Sequence, residues 1–210
     1  TDNKQTIKGF DLSNTISLGL AADEAATSSE IDVTAADATG SDDTLKVTVD
    51  NTNGNVSSII DASGIENLAL KVVDDTQSIT LNMTTGEFNA ISIAMKDATD
   101  NGAVDLGTLH KNTTSVTSGS IGAITASFAN QVAPKGSAAT FSGLGVAVQT
   151  VTGGAYADTF TIGTTGNITH VIDGGTGTDT TNITVSGSFV NAGSIDTENV
   201  NMTVANGADV

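Results

Sequence analysis

Short-period alternation of apolar and polar residues is the feature that most limits what this chain can fold into. Leu45, Val47 and Val49 are separated by Lys46 and Thr48; Leu68, Leu70 and Val72 by Ala69 and Lys71. Ile79, Leu81 and Met83 follow with Thr80 and Asn82 between them, then Ile91, Ile93 and Met95 with Ser92 and Ala94. Shorter runs of the same kind lie at Val146–Val148, Phe160–Ile162, Ile183–Val185 and Val200–Val204. A period of two puts the apolar side chains on one face of an extended strand. Gly, Asn, Asp and Ser, the residues of tight turns, bound each run. Helical periodicity is scarce, and the clearest candidate is the short alanine-rich stretch Leu20–Ala26. The expectation is an all-β protein.

Several successive runs recur about every 10 to 13 residues, a pitch shared by sandwiches, barrels and β-solenoids. Aromatic residues decide between them. They make up 3% of the chain, as six Phe and one Tyr with no Trp, whereas a sandwich draws much of its packing volume from rings. Val, Ile, Leu, Ala and Thr suit thin layers in which backbones stack closely. With a single proline, Pro134, and polar faces rich in Thr and Asn, the composition favours a β-solenoid of stacked sheets, with a β-sandwich as the alternative. A length of 210 residues suits one large domain or two small ones. Composition shifts suggest an acidic β-rich segment over 1–118, a Gly/Ala-rich connector or weak strands over 119–145, and a Thr/Gly-rich β-repeat segment over 146–210. One continuous solenoid is compatible with the same pattern.

Charge narrows the partners. The formal net charge is −17, and the seven basic residues are all lysine. Nucleic acid and anionic membrane surfaces both need clustered Lys and Arg, so neither is expected as a partner. No apolar run is long enough to span a bilayer as a helix. The absence of cysteine excludes a disulfide-stapled scaffold. No signal-peptide pattern stands at Thr1, so an exported form is expected to have lost one or to use a signal outside these residues.

An internal repeat runs across the chain. Gly40-Ser41-Asp42-Asp43-Thr44-Leu45 opens a strand and is followed by Ile65-Glu66-Asn67-Leu68 opening another. Gly175-Thr176-Gly177-Thr178-Asp179-Thr180 is followed in the same way by Thr197-Glu198-Asn199-Val200. Each copy reads as an Asp turn, a strand, a spacer, then Glu-Asn and a second strand. Such a unit buries its apolar face by stacking on a neighbour, as repeat architectures do.

The turns of this repeat carry the only pattern that suggests a ligand. Gly174-Gly175-Thr176-Gly177-Thr178-Asp179 fits the opening of the Gly-Gly-x-Gly-x-Asp-x-U-x calcium nonapeptide, and Gly153-Gly154-Ala155-Tyr156-Ala157-Asp158-Thr159-Phe160 fits all but its third glycine. The stretch from Gly40 keeps only the Gly-x-Asp core. Glycines let the backbone turn tightly, and Asp supplies a hard carboxylate oxygen. Ca²⁺ takes about six to eight oxygen ligands, so carbonyls and carboxylates of adjacent turns have to converge. The candidate ligating and turn residues are Gly40, Asp42, Asp43, Gly153, Gly154, Asp158, Asp173, Gly175, Gly177 and Asp179. The two better turns are spaced by 21 residues (179 − 158) rather than by a multiple of the nonapeptide. An ordinary Asp-capped turn is the competing reading of the same residues.

The Gly-Thr-Asp turn, the strand behind it and the later Ile-Glu-Asn or Thr-Glu-Asn strand entry resemble bacterial crystalline surface-layer proteins of the type I-secreted kind with calcium-binding repeats. The likeness covers residues 39–72 and 153–204. It implies an extracellular, cell-surface or secreted-matrix β-solenoid that polymerises with itself, with calcium rigidifying the monomer and joining neighbours. Cell-surface polysaccharide is a further candidate partner. The closing stretch Asn206-Gly207-Ala208-Asp209-Val210 has the look of another repeat turn, which suggests a piece of a longer protein. A module of a repeat adhesin and the non-catalytic β-domain of a secreted hydrolase are the rival functions.

Catalysis finds little support, and no enzyme activity is expected. The two histidines, His110 and His170, sit in unlike contexts, and His170 within Ile168–Ile172 reads as a strand residue. Neither a Gly-x-Ser-x-Gly elbow, nor a His-x-x-x-His pair, nor a phosphate-binding loop occurs. Of the sequons at Asn55, Asn82, Asn112, Asn167, Asn182 and Asn201, chance explains most in a chain this rich in Asn and Thr, although glycosylation would fit a surface protein.

Overall fold

The computed structural model describes residues 3–10, 15–21, 29–35, 43–51, 54–73, 77–83, 85–95, 102–118, 123–130, 138–141, 149–164, 170–186 and 193–205. Eighteen strands occur among them and no helix. One sheet holds β1 (Asn3–Phe10), β3 (Ser29–Ala35), β5 (Val56–Ser63), β7 (Ile79–Asn82), β9 (Val104–Thr108), β11 (Ile124–Ser127), β13 (Thr150–Thr152), β15 (Val171–Asp173) and β17 (Ser194–Asp196), in that spatial order. The other holds β2 (Thr15–Ala21), β4 (Thr44–Asp50), β6 (Asn67–Val72), β8 (Ala90–Met95), β10 (Ser115–Ser118), β12 (Ala138–Phe141), β14 (Thr159–Thr164), β16 (Thr180–Val185) and β18 (Asn199–Val204). Each strand pairs in parallel with the strand two later in the sequence, as in Thr44↔Asn67 and Thr159↔Thr180. The chain therefore alternates between two nine-stranded parallel sheets and climbs by one strand in each per coil, which makes it a β-solenoid. A coil here means one odd-numbered strand and the even-numbered strand that follows it.

Stacked identical positions build the core. Leu45, Leu68, Ile91 and Val116 succeed one another in register, and Val47, Leu70 and Ile93 do the same beside them. Each of these side chains is buried. Across the core, Val56, Ile79, Val104 and Ile124 form the facing column. Parallel strands with no offset place each side chain directly over its counterpart in the next coil, so small branched residues fill the interior in layers. The few large rings sit where the layers need volume. Phe88, Phe128 and Phe160 are fully buried, the first two just outside strand ends.

Several expectations need correction or placement. Leu20 and Ala21 belong to strand β2, not to a helix; their stretch continues the alternation Ile16, Leu18, Leu20 and pairs with β4. Residues 22–26 of that expected helix lie outside the described residues, as does the run Val146–Val148. The segment 119–145 contributes β11 and β12, and both sheets continue through it. His170 lies one residue before β15, at the corner where the strand begins.

Candidate functional site

The spacing of 21 residues between the two glycine-rich turns is one coil. Gly153-Gly154 and Gly174-Gly175 each connect an odd-numbered strand to an even-numbered one, and they lie directly on top of each other. Gly153 N–H donates to Asp173 O at 2.7 Å, Gly174 N–H to Asp196 O at 2.8 Å, and Thr176 N–H to Gly154 O at 3.1 Å. The close stacking explains the glycines. A Cβ at Gly175, whose φ is +83°, would overlap the carbonyl oxygen of Gly154. At Gly153 it would strike Gly174 O and the Asp158 carboxylate.

Each turn ends on an aspartate that is almost fully buried: Asp158 and Asp179. Asp158 folds back on its own turn, where Oδ2 accepts from Gly154 N–H at 2.6 Å. Asp179 reaches one coil down, and its Oδ1 accepts from Asp158 N–H at 2.8 Å. Glu198 repeats the move one coil further on, its Oε2 accepting from Asp179 N–H at 2.7 Å. Asp173, at the end of β15, takes the Gly175 N–H on Oδ1 at 2.9 Å. Asp158, Asp179 and Glu198 thus stand in one line at the corner that opens the even-numbered strands.

The same line reappears near the other end of the stack. Asp43 precedes β4, and Glu66 precedes β6. Glu66 Oε2 accepts from Asp43 N–H at 3.0 Å. Asn67 then donates from its side chain to Asp43 O at 3.3 Å, and Asn199 does the same to Asp179 O at 3.3 Å. Asn67 N–H and Asn199 N–H also bond those two carbonyls, at 2.9 and 3.0 Å. The internal repeat seen in the sequence is therefore a corner clamp. An Asp opens a strand in one coil, and the Glu-Asn of the next coil captures its N–H with the carboxylate and its C=O with the amide. Turn backbone that would otherwise be buried without partners is satisfied in this way. Glu66 and Glu198 were visible in the sequence as part of the repeated words, but their role was not, because it depends on which coil lies above which.

The corner is electrostatically tense. Burial pushes the Asp179 carboxyl above its usual range; the Asp158 N–H pulls it down, while the charges of Asp158, Glu198 and Asp173 push it up again. Glu198 moves the other way, held below the usual range chiefly by the hydrogen bond from Asp179 N–H. No lysine occurs in the sequence after Lys135. Among the described residues no three His, Asp or Glu side chains converge into a metal-sized group. A cation at these turns would have to draw on turn carbonyls as well as carboxylates.

Of the candidate site residues, Gly153, Gly154, Asp158, Asp173, Gly175, Gly177 and Asp179 come together in two adjacent turns. Asp43 shares their corner line but lies several coils away. Gly40 and Asp42 lie outside the described residues. No family model, curated protein or solved structure matches this chain.

Proposed function

We propose that this chain is a structural, non-catalytic solenoid that assembles with copies of itself outside the cell, as a surface-layer or matrix protein, with calcium assisting at the stacked glycine turns. The observation that carries this reading is that stacking of coil on coil is the contact that extends both sheets throughout the fold. Among the described residues β18 pairs with β16, and its inward-column residues Val200, Met202 and Val204 are 48%, 44% and 38% exposed there. Their register partners one coil below, Thr181, Ile183 and Val185, are at most 2% exposed. An apolar column this regular matches the underside of another coil, because coil-on-coil stacking is the contact already repeated through the whole fold.

A second copy offers such a coil. β2 is the first described strand of the same sheet, and Ile16, Leu18 and Leu20 occupy the register positions of Leu45, Val47 and Val49. Stacking β2 of one molecule on β18 of the next continues both parallel sheets, and a head-to-tail contact that does not close grows as an open polymer. The net charge of −17 opposes association. Calcium favours it by neutralising carboxylates such as those around Asp179, whose pKa is raised first by burial and then by their charges.

Sedimentation velocity tests this, with protein first stripped by chelator and then given millimolar calcium. The reading expects monomer in chelator and large polymer with calcium, and Met202→Lys should stay monomeric in both. A wild-type chain that remains monomeric at high concentration with calcium bound would favour a module of a longer adhesin instead.

A further inference from the structure

At the opposite corner from the acidic line, a second clamp uses uncharged groups. Gln149 precedes β13, and its Oε1 accepts from Ile124 N–H at 3.0 Å, in the coil below. His170 stands in the same place one coil later, before β15, and its Nδ1 accepts from Gln149 N–H at 3.2 Å. Both side chains are buried. Backbone bonds run alongside, from Val171 N–H to Gln149 O at 2.8 Å and from Ser194 N–H to His170 O at 2.9 Å. The amide and the imidazole therefore do the same work in successive coils, but only the imidazole can titrate.

An Nδ1 that accepts a hydrogen bond leaves the ring proton of the neutral form on Nε2. His170 Nε2 is buried and has no hydrogen-bond partner among the described residues. A second proton would have to go on Nδ1. It would point a donor at the Gln149 N–H and place a charge in the interior with no acid opposite it among the described residues. The surroundings offer no relief. β13, β14 and β16 carry no ionisable residue, Asp173 on β15 and Asp196 on β17 are exposed, and Asp158 and Asp179 stand at the other corner. Burial alone lowers the pKa of His170 from its ordinary value of 6.5.

We infer that His170 is an acid-sensitive latch on the seam between the β13–β14 coil and the β15–β16 coil. When pH falls through the ordinary histidine range, the unfolded or locally opened chain takes up a proton that the closed seam refuses. Stability is thus complete above pH 6.5 and is lost as pH falls from there to the lowered native value. Most carboxylates remain ionised over the upper part of this window, so the effect is separable from general acid denaturation. The consequence is local: the coils carrying β15 to β18, which include the apolar β18 edge, loosen first.

Gln149 supplies the control. His170→Gln keeps an acceptor of a kind this fold already uses at the preceding coil and removes the titration. The test compares thermal unfolding at about pH 7.5 and about pH 5.5 for the wild type, His170→Gln and His110→Gln, in chelator. Wild type and His110→Gln should lose about 2–4 °C or more on acidification, and His170→Gln should lose clearly less. An equal loss in His170→Gln overturns the inference, as does a flat response in His110→Gln. A wild-type measurement guards against a variant that fails to fold: the His170 ring resonance should titrate below about 6.5, and titration at or above that value also overturns it.

Discussion

Asp179 shows how one side chain can serve the fold and strain it together. Its Oδ1 holds the Asp158 N–H, yet its ionised form is opposed by burial and by neighbouring carboxylates. The sign follows from the raised pKa: the folded state favours the protonated carboxyl, so ionisation costs stability at neutral pH, and protonation in acid restores it. Asp179→Asn keeps an acceptor without the charge. We expect it to melt at or above the wild-type temperature at pH 7 in chelator, whereas Asp179→Ala, which strands the buried Asp158 N–H, should lose about 1–3 kcal/mol by chemical denaturation. For calcium the order changes. Asp179→Ala should weaken binding more than Asp196→Ala by calorimetric titration, and equal affinities would make the turn an ordinary one. Gly175→Ala tests the close stacking. With φ at +83° and Gly154 O in the way of a Cβ, the loss should be about 1–3 kcal/mol or more by the same denaturant titration. Glu198 runs opposite to Asp179 in pH: its lowered pKa means that its contribution is present above about pH 4.5 and is lost as acid protonates it.

At the scale of strands, alternation made β4, β6, β7, β8, β14 and β16 legible, because each buries one face and shows the other to solvent. β5 was not legible. Its sequence Val-Ser-Ser-Ile-Ile-Asp-Ala-Ser breaks the pattern, since Ser58 points inward and is buried while Ile59 points outward at 37% exposed. β13, β15 and β17 are three residues each, too short to display a period. Their positions are set by register with neighbouring coils, a non-local property. The repeat words were readable, but not as a clamp, since Asp43 and Glu66 are 23 residues apart and Asp179 and Glu198 are 19. Coil length varies, so no fixed period announces the pairing. The glycine turns stand out in the sequence, but their spacing of 21 residues fits no nonapeptide multiple, and their stacking emerges only because 21 residues make one coil. Phe160 offers a check on the layered core. It is fully buried between Ala139 and Thr181 in its column, and Phe160→Ala should cost about 3–5 kcal/mol by denaturant titration. A cost near zero would mean that the column relaxes freely and the interior is not closely packed.

The whole molecule is a stack in which almost every contact joins a coil to the next. Stability in such a design is close to a sum of neighbouring interfaces, and an uncovered interface is available to anything of matching shape. The proposed coil-on-coil association would also fix the geometry of a polymer: its long axis would be the stacking axis of each molecule. Strands then lie across the fibre and repeat along it at the strand spacing of about 4.7–4.9 Å, without a break at the junctions. X-ray diffraction from oriented, calcium-grown assemblies reads this directly. The account predicts a sharp reflection at that spacing on the meridian, absent from Met202→Lys preparations. The same reflection on the equator, or assemblies that form equally well with Lys at position 202, would contradict it.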